Sequence, residues 1–286
     1  MARVVVTGGS GKLGDAVVAD LVAHGWDVVN VDLAPPVVAR ADFTRADLTD
    51  YGQAVEVLSA IDSRYGHVDA LVHLAAIPGP GWAPNATIFE NNIVSTYNVF
   101  FAARAAGIRN IVWASSETVL GLPFDTPPPY APIDEEYPGL PETSYSMSKH
   151  LSEAMAEQLA RWDPQLKIYG LRFSNVMRPE DYAEFPAWHD DLEIRRWNLW
   201  GYIDARDGAQ AVRKALDHAG TGAEVFIIAN ADTVMLRPSA ELMAERFPGV
   251  PLRGEVEGTQ TLLSIEKARR VLGYEPEYSW RSQTGN

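Results

Sequence analysis

The stretch Arg3-Val4-Val5-Val6-Thr7-Gly8-Gly9-Ser10-Gly11-Lys12-Leu13-Gly14 decides how this chain is read. Val4-Val5-Val6 is an unbroken apolar run with no polar alternation, which predicts a strand covered on both faces. An amphipathic stretch from Lys12 to His24 predicts a helix directly after the glycines. In a strand-to-helix turn of this kind the first glycine permits the tight bend. The second lets backbone approach a pyrophosphate, and the third lets helix pack on strand. The first amides of the helix add donors and positive dipole for phosphate. Gly8, Ser10, Gly11, Lys12, Leu13 and Gly14 are therefore candidate dinucleotide contacts. The rival phosphate loop GxxxxGK[ST] fails, because Leu13 follows Lys12 and position 6 is Val6.

A second predicted strand, Asp27 to Asp32, ends on an acid 18 residues past Gly14. A carboxylate there accepts ribose hydroxyls and repels a 2′-phosphate, and Leu33 brings no compensating cation. The expected cofactor is NAD. Further strands are predicted at Ala70 to Leu74, Ile111 to Ser115 and Lys167 to Phe173. Helices are predicted at Tyr51 to Tyr65, Asn85 to Ala106 and Ser144 to Trp162. This alternation predicts an α/β fold, a doubly wound parallel sheet of the Rossmann kind, over residues 1–175. Pro123 to Pro141 is too proline-rich for regular structure. Beyond Asn175 the periodicity fades, and 176–286 reads as mainly a small substrate-binding lobe. A helix is predicted at Asp207 to Ala219 and a strand at Glu224 to Ala229, and some elements of this part are expected to return to the sheet. Helical stretches near Ser239 to Phe247 and Ser264 to Leu272 follow.

The 286 residues carry a net charge of −14 and no cysteine. An acidic surface opposes binding to nucleic acid or anionic membrane through bulk charge. Disulfides, thiol nucleophiles and cysteine metal sites are excluded, and His189 beside Asp190 and Asp191 reads as polar surface, so no metal is expected. No apolar stretch has the length of a membrane span, and the first strand begins too early for a signal peptide, so the expected location is cytoplasmic.

Tyr145-Ser146-Met147-Ser148-Lys149 places a phenol and an ammonium four residues apart, on one helix face. A phenol is a weak base near neutral pH until a cation favours its phenolate. Lys149 supplies one, Tyr145 then takes the proton of a substrate hydroxyl, and Ser116 at a strand end holds the reacting oxygen.

These residues, in this order, resemble the NAD-dependent epimerase/dehydratase family of extended short-chain dehydrogenases. The resemblance is carried by the glycine run from Thr7, Asp47-Leu48, His73-Leu74-Ala75-Ala76 and Asn92 within Asn91 to Thr96. It continues through Ser115-Ser116, Tyr145 with Lys149, Leu171 to Asn175, Tyr202-Ile203-Asp204 and Leu272 to Pro276. It implies that Asp47 and Leu48 border the adenine and that Leu74 and Ala75 line the dinucleotide backbone. It also implies that Lys149 holds the nicotinamide ribose, and it adds Ala76, Asn92 and Ser115 to the cofactor contacts. A homodimer through the helices at Asn85 to Ala106 and Ser144 to Trp162 is implied as well, with Ile88, Phe89, Ile93, Tyr97, Phe100 and Phe101 as the apolar stripe.

Two departures narrow the chemistry. The Asp-Glu pair of sugar-nucleotide dehydratases is here Glu117-Thr118, which disfavours water loss. The LRxxN motif ends unusually in Asn175-Val176-Met177-Arg178-Pro179, and the lobe beyond it is short for the family. A smaller sugar or sugar acid, as in the uronate dehydrogenases of the family, is the expected substrate, with Ser116, Glu117, Asn175, Arg178, Trp188 and Arg195 as its contacts. Indoles stack on sugar C–H groups and arginine forks bind carboxylates. The competing reading packs these tryptophans into a core and leaves Arg195 and Arg196 solvated or paired with Asp190 and Asp191. A nucleotide-sugar 4-epimerase and a non-catalytic dinucleotide sensor are the alternative functions, and the presence of both Tyr145 and Lys149 argues against the second.

Overall fold

The computed structural model describes residues 1–59 and 66–284. Seven strands form one parallel sheet: β1 (Arg3–Thr7), β2 (Asp27–Asp32), β3 (Asp42–Arg45), β4 (Ala70–His73), β5 (Asn110–Ser116), β6 (Lys167–Phe173) and β9 (Gly222–Ile228). Their order across the sheet is β3-β2-β1-β4-β5-β6-β9. A separate two-stranded ribbon joins β7 (Val176–Met177) to β8 (Ile203–Asp204). Val4 and Val6 belong to one apolar core and Val5 to the other, so the apolar run at the start of the chain is what a strand covered on both faces requires.

Helices α1 (Lys12–Ala23) and α5 (Ala205–Asp217) pack on the first face through Val17, Leu21, Ala211 and Val212. Helices α2 (Tyr51–Ser59), α3 (Asn85–Ala105) and α4 (Ser144–Trp162) cover the second through Leu58, Phe100 and Leu159. Helix α2 was expected to reach Tyr65, but residues 60–65 lie outside the described residues. Shorter helices α6 (Ser239–Arg246), α7 (Glu266–Leu272) and α8 (Trp280–Thr284) complete the chain.

Strand β3 has no counterpart in the sequence reading. Asp-Phe-Thr-Arg is short, polar and half-exposed at the sheet edge, where only pairing with β2 gives it strand geometry. Pro123–Pro141 is irregular, as its prolines dictate, and is pinned to the end of the chain by bridges from Ala131 to Leu252 and from Ile133 to Leu263. The order of the sheet reverses direction between β1 and β4, so the loops after these strands open a crevice at the carboxyl ends of the strands.

Candidate active site

The crevice begins with the glycine loop. Gly8 has φ +71°, and a β-carbon on it would lie 2.5 Å from the Ala75 nitrogen, so this position needs glycine both for its dihedral and for contact with the loop after β4. A β-carbon on Gly14 would collide with the Gly8 carbonyl oxygen. Helix α1 starts at Gly11 without a side-chain cap, leaving its first amides available for phosphate. Asp32 at the end of β2 accepts from the Ser10 amide at 3.0 Å and its own neighbour Leu33 at 2.7 Å. The carboxylate thus organises the loop and keeps lone pairs for ribose hydroxyls. The cradle left where β-carbons would sit, the uncapped helix start and the acid together fit a dinucleotide.

Other residues expected at the cofactor act through their neighbours. Lys12 donates from Nζ to Asp181 of the lobe at 2.7 Å, while its backbone and that of Leu13 belong to the uncapped turn. Asp47 caps its own turn by accepting from the Thr49 amide at 2.9 Å. Buried Leu48 is held by Asn98, whose Nδ2 donates to the carbonyls of Leu48 and Thr49. Asn92 grips Ile77 from both sides, accepting from its amide and donating to its carbonyl, so it fixes the loop that follows Leu74, Ala75 and Ala76. The Ser115 hydroxyl points away from the crevice, donating to Glu153 at 2.6 Å, and Glu153 forms a buried two-point ion pair with Arg172. Asn98 and Glu153 were missed in the sequence. Asn98 lies two residues beyond the quoted Asn91–Thr96 stretch and Arg172 lies within a quoted motif, but neither spacing shows which group they meet.

Helix α4 opens with a reciprocal cap between Thr143 and Ser146, which places Tyr145 in its first turn and Lys149 one turn later. Both are buried. Lys149 donates from Nζ to the Ala114 carbonyl at 2.7 Å and lies 5.8 Å from the centre of the Tyr145 ring. Burial pushes the ammonium down to about 8. Burial pushes the Tyr145 phenol up to about 12, a hydrogen bond with Ser116 opposes this, and the neighbouring Glu117 charge adds to it. Without further positive charge this phenol keeps its proton at neutral pH. Ser116 caps the turn Glu117–Leu120, accepting from the Thr118 amide at 3.2 Å. His73 bridges Thr7 and Thr96 through its two ring nitrogens, and burial holds it neutral, down to about 3.

On the substrate side, neither reading of the tryptophan–arginine segment survives intact. Arg195 is neither solvated nor paired with Asp190 or Asp191. Only 6% exposed, it is sandwiched between Trp188 and Trp197, with ring centres 4.9 and 5.0 Å from its guanidinium. Arg196 pairs with Glu193 at 2.9 Å, and half-exposed Arg178 lies 3.9 Å from Glu180. His189 contacts the Val234 carbonyl and stacks near Trp280. Glu117 is buried beneath Ser174 and Asn198 rather than open to a ligand, and Asn175 is half-buried at the edge of this wall.

The model of the NAD-dependent epimerase/dehydratase family matches residues 4–229. The chain belongs to this family. It is an NAD-dependent enzyme with the family's Rossmann sheet. It is 26% identical to a UDP-glucose 4-epimerase of Rhizobium meliloti (strain 1021), over 96% of this chain and 93% of that protein. It is 30% identical to UDP-glucose 4-epimerase 2 of Oryza sativa subsp. japonica, over 60% of this chain and less than half, 44%, of that protein. A solved UDP-galactose 4-epimerase superposes with a TM-score of 0.71 at 27% identity, covering 98% of this chain and 95% of the other. Among the described residues no helix is long and apolar enough to cross a membrane.

Proposed function

We propose that this family member interconverts a carbinol and a carbonyl on a small sugar or sugar acid, with Tyr145 as proton acceptor, Lys149 as its supporting cation and Ser116 as the holder of the reacting oxygen. The observation that carries this reading is the placement of Tyr145 beside Ser116 at the carboxyl end of β5, with the Lys149 ammonium 5.8 Å from the centre of the phenol ring. NAD, held by the glycine loop and Asp32, would supply the hydride acceptor and a positive nicotinamide charge. Tyr145 needs that second charge, because burial holds its proton more tightly than water does. The Ser116 hydroxyl, fixed by Thr118, directs the substrate oxygen to the phenol.

The lobe supports a small substrate. Trp188 and Trp197 are spent on Arg195, and Tyr202 and Trp280 each pack edge-on against Phe185, so these aromatic side chains pack on one another and on Arg195 instead of framing a nucleotide. Half-exposed Arg178 and the Asn175 amide are polar groups that a ligand could meet. The nucleotide-sugar 4-epimerase reading stands second, favoured by the activities of the relatives. An assay of NADH formation over free uronates, aldoses and UDP- and dTDP-sugars separates the two. Turnover of a free uronate or aldose supports the first, and isomerisation of a UDP-sugar without net NADH supports the second.

A homodimer through α3 and α4 is part of the same proposal. Ile88 and Phe100 of the expected stripe are buried, which leaves a smaller outer face. Tyr97 is 48% exposed and stacks on Phe101, which meets the 47% exposed Trp162 edge-on, and Leu151 and Met147 continue the face. Light scattering at micromolar concentration is expected to give twice the chain mass, and a strict monomer rejects the pairing.

A further inference from the structure

We propose that Glu117 and Arg195 are opposite charges in one buried hydrogen-bond ring that fixes the Asn175 carboxamide at the edge of the substrate site, so that both act as positioning residues. The proposal rests on reading Tyr145 and Ser116 as the proton-transfer pair, since Glu117 follows Ser116 directly.

The ring can be traced atom by atom. Glu117 Oε2 accepts from the Ser174 hydroxyl at 2.6 Å, and Oε1 accepts from Asn198 Nδ2 at 3.2 Å. Asn198 Nδ2 also donates to the Gly201 carbonyl at 2.9 Å, and one terminal nitrogen of Arg195 donates to the same carbonyl at 2.8 Å. The other terminal nitrogen of Arg195 donates to Asn175 Oδ1 at 2.9 Å. Ser174 and Asn175 are consecutive, so the circuit closes. It ties the end of β5 to the end of β6 and to the lobe turn at 195–201.

That turn is held in a costly shape. Leu199 and Trp200 have φ of 53° and 57°, left-handed values that non-glycine residues adopt rarely and here adopt in succession, and both side chains are fully buried. The Trp200 amide donates to the Arg195 carbonyl at 2.9 Å, and its indole donates to the Leu192 carbonyl at the same distance. The bend is what lets one carbonyl, Gly201, receive both Asn198 and Arg195.

The consequence falls on Asn175. Guanidinium only donates, so the oxygen end of the amide must face Arg195, and Nδ2 becomes the end left for a ligand. Glu117, Ser174, Arg195 and Asn198 are all buried, whereas Asn175 is half-buried, which makes it the outlet of the ring. A hydrogen-bond donor there suits a hydroxyl or carboxylate oxygen of the substrate. The groups facing the Glu117 carboxyl are Ser174 and Asn175 after β6, Asn198 and Arg195 from the lobe, and Tyr145 from α4, while Glu184 faces Arg195. Burial pushes Glu117 up to about 7, and Arg195 pulls against it. A charged Glu117 makes the Tyr145 phenol harder to ionise, so the counter-charge on Arg195 also protects the proton-transfer pair.

Two measurements on the whole protein test this. The infrared band of the protonated Glu117 carboxyl, assigned by its loss in Glu117→Gln, is expected to titrate near neutral pH in the wild type and at higher pH in Arg195→Met. If Glu117→Gln does not fold, ¹³C-labelled glutamate in the wild type and Arg195→Met gives the same titration. A carboxyl whose titration is unmoved by Arg195→Met overturns the pairing. In thermal melts Glu117→Gln is expected to lower the midpoint by stranding a buried cation. Adding Asn175→Asp, which puts a carboxylate where Arg195 already reaches, is expected to recover part of that loss. A double variant melting at or below Glu117→Gln overturns the link to Asn175. Failure of the active-site reading would show separately, as turnover retained in Tyr145→Phe with both of these results unchanged.

Discussion

The two sides of the crevice are built from different material. On the expected cofactor side the main chain would do the holding: Gly8 and Gly14 bring backbone to backbone, α1 starts without a side-chain cap, and the Asp32 carboxylate organises the loop. On the expected substrate side the main chain is irregular, and buried side chains hold one another, with Arg195 against two indoles and Glu117 under Ser174 and Asn198. A backbone-built site depends on the absence of side chains at fixed spacing and tolerates variation elsewhere. A site built from buried polar side chains depends on every partner being present, because an orphaned buried group costs more than a lost hydrogen bond.

This contrast can be broken at Tyr145, which belongs to neither side. Tyr145→Phe is expected to lower turnover by about 10² to 10⁴, the usual worth of a general base, while NAD affinity measured by calorimetry stays within about twofold. A matching fall in NAD affinity would mean that the phenol holds cofactor rather than moving a proton. Within the cofactor side, Gly8→Ala forces a left-handed dihedral and a clash with Ala75, and NAD affinity is expected to drop about 100-fold. An affinity kept within threefold would show that backbone proximity is not what builds this half.

Asp32→Ala is expected to weaken NAD by about tenfold and to narrow its preference over NADP, read by titrating both cofactors. A wild type that prefers NADP would remove the carboxylate from its role. In α5, Asp207 accepts from the amides of Glu277 and Tyr278, and burial raises its carboxyl from 3.8 to about 6. A carboxyl raised in the folded state contributes stability that is full below pH 3.8 and lost as pH rises through 6. The difference in melting midpoint between wild type and Asp207→Asn should therefore shift in the variant's favour between pH 4 and 6. A difference that stays flat or runs the other way would show that the two amides outweigh burial. The smallest effect is expected where the two sides touch at the surface. Lys12→Met breaks the exposed pair with Asp181 and should change stability by less than about 1 kcal/mol in denaturant unfolding. A larger loss would make this contact a structural joint between the two sides.

Periodicity and spacing alone placed β1, β2, β4, β5 and β6 with α1, α3 and α4 between them, the unbroken apolar run of β1 marking a strand covered on both faces and the glycines after it marking a turn that must lack side chains at set intervals. The same logic placed Tyr145 and Lys149 on one helix face. Only the tertiary structure decided that β3 exists, since a polar four-residue edge becomes a strand through its neighbour. It alone showed that Ser115 turns to Glu153, that Asn92 holds Ile77 and that Lys12 reaches Asp181. The tryptophan–arginine segment was the least legible. Trp188, Arg195 and Trp197 in sequence are compatible with a core, a surface or a sugar platform. The choice among them was made where the left-handed bend at Leu199 and Trp200 accompanies an Arg195 turned inward to meet Asn175, twenty residues back in the chain, and Gly201, six residues on. A local pattern records which face a residue prefers, whereas the partner of a buried charge is set by which distant segments the fold brings within hydrogen-bond reach.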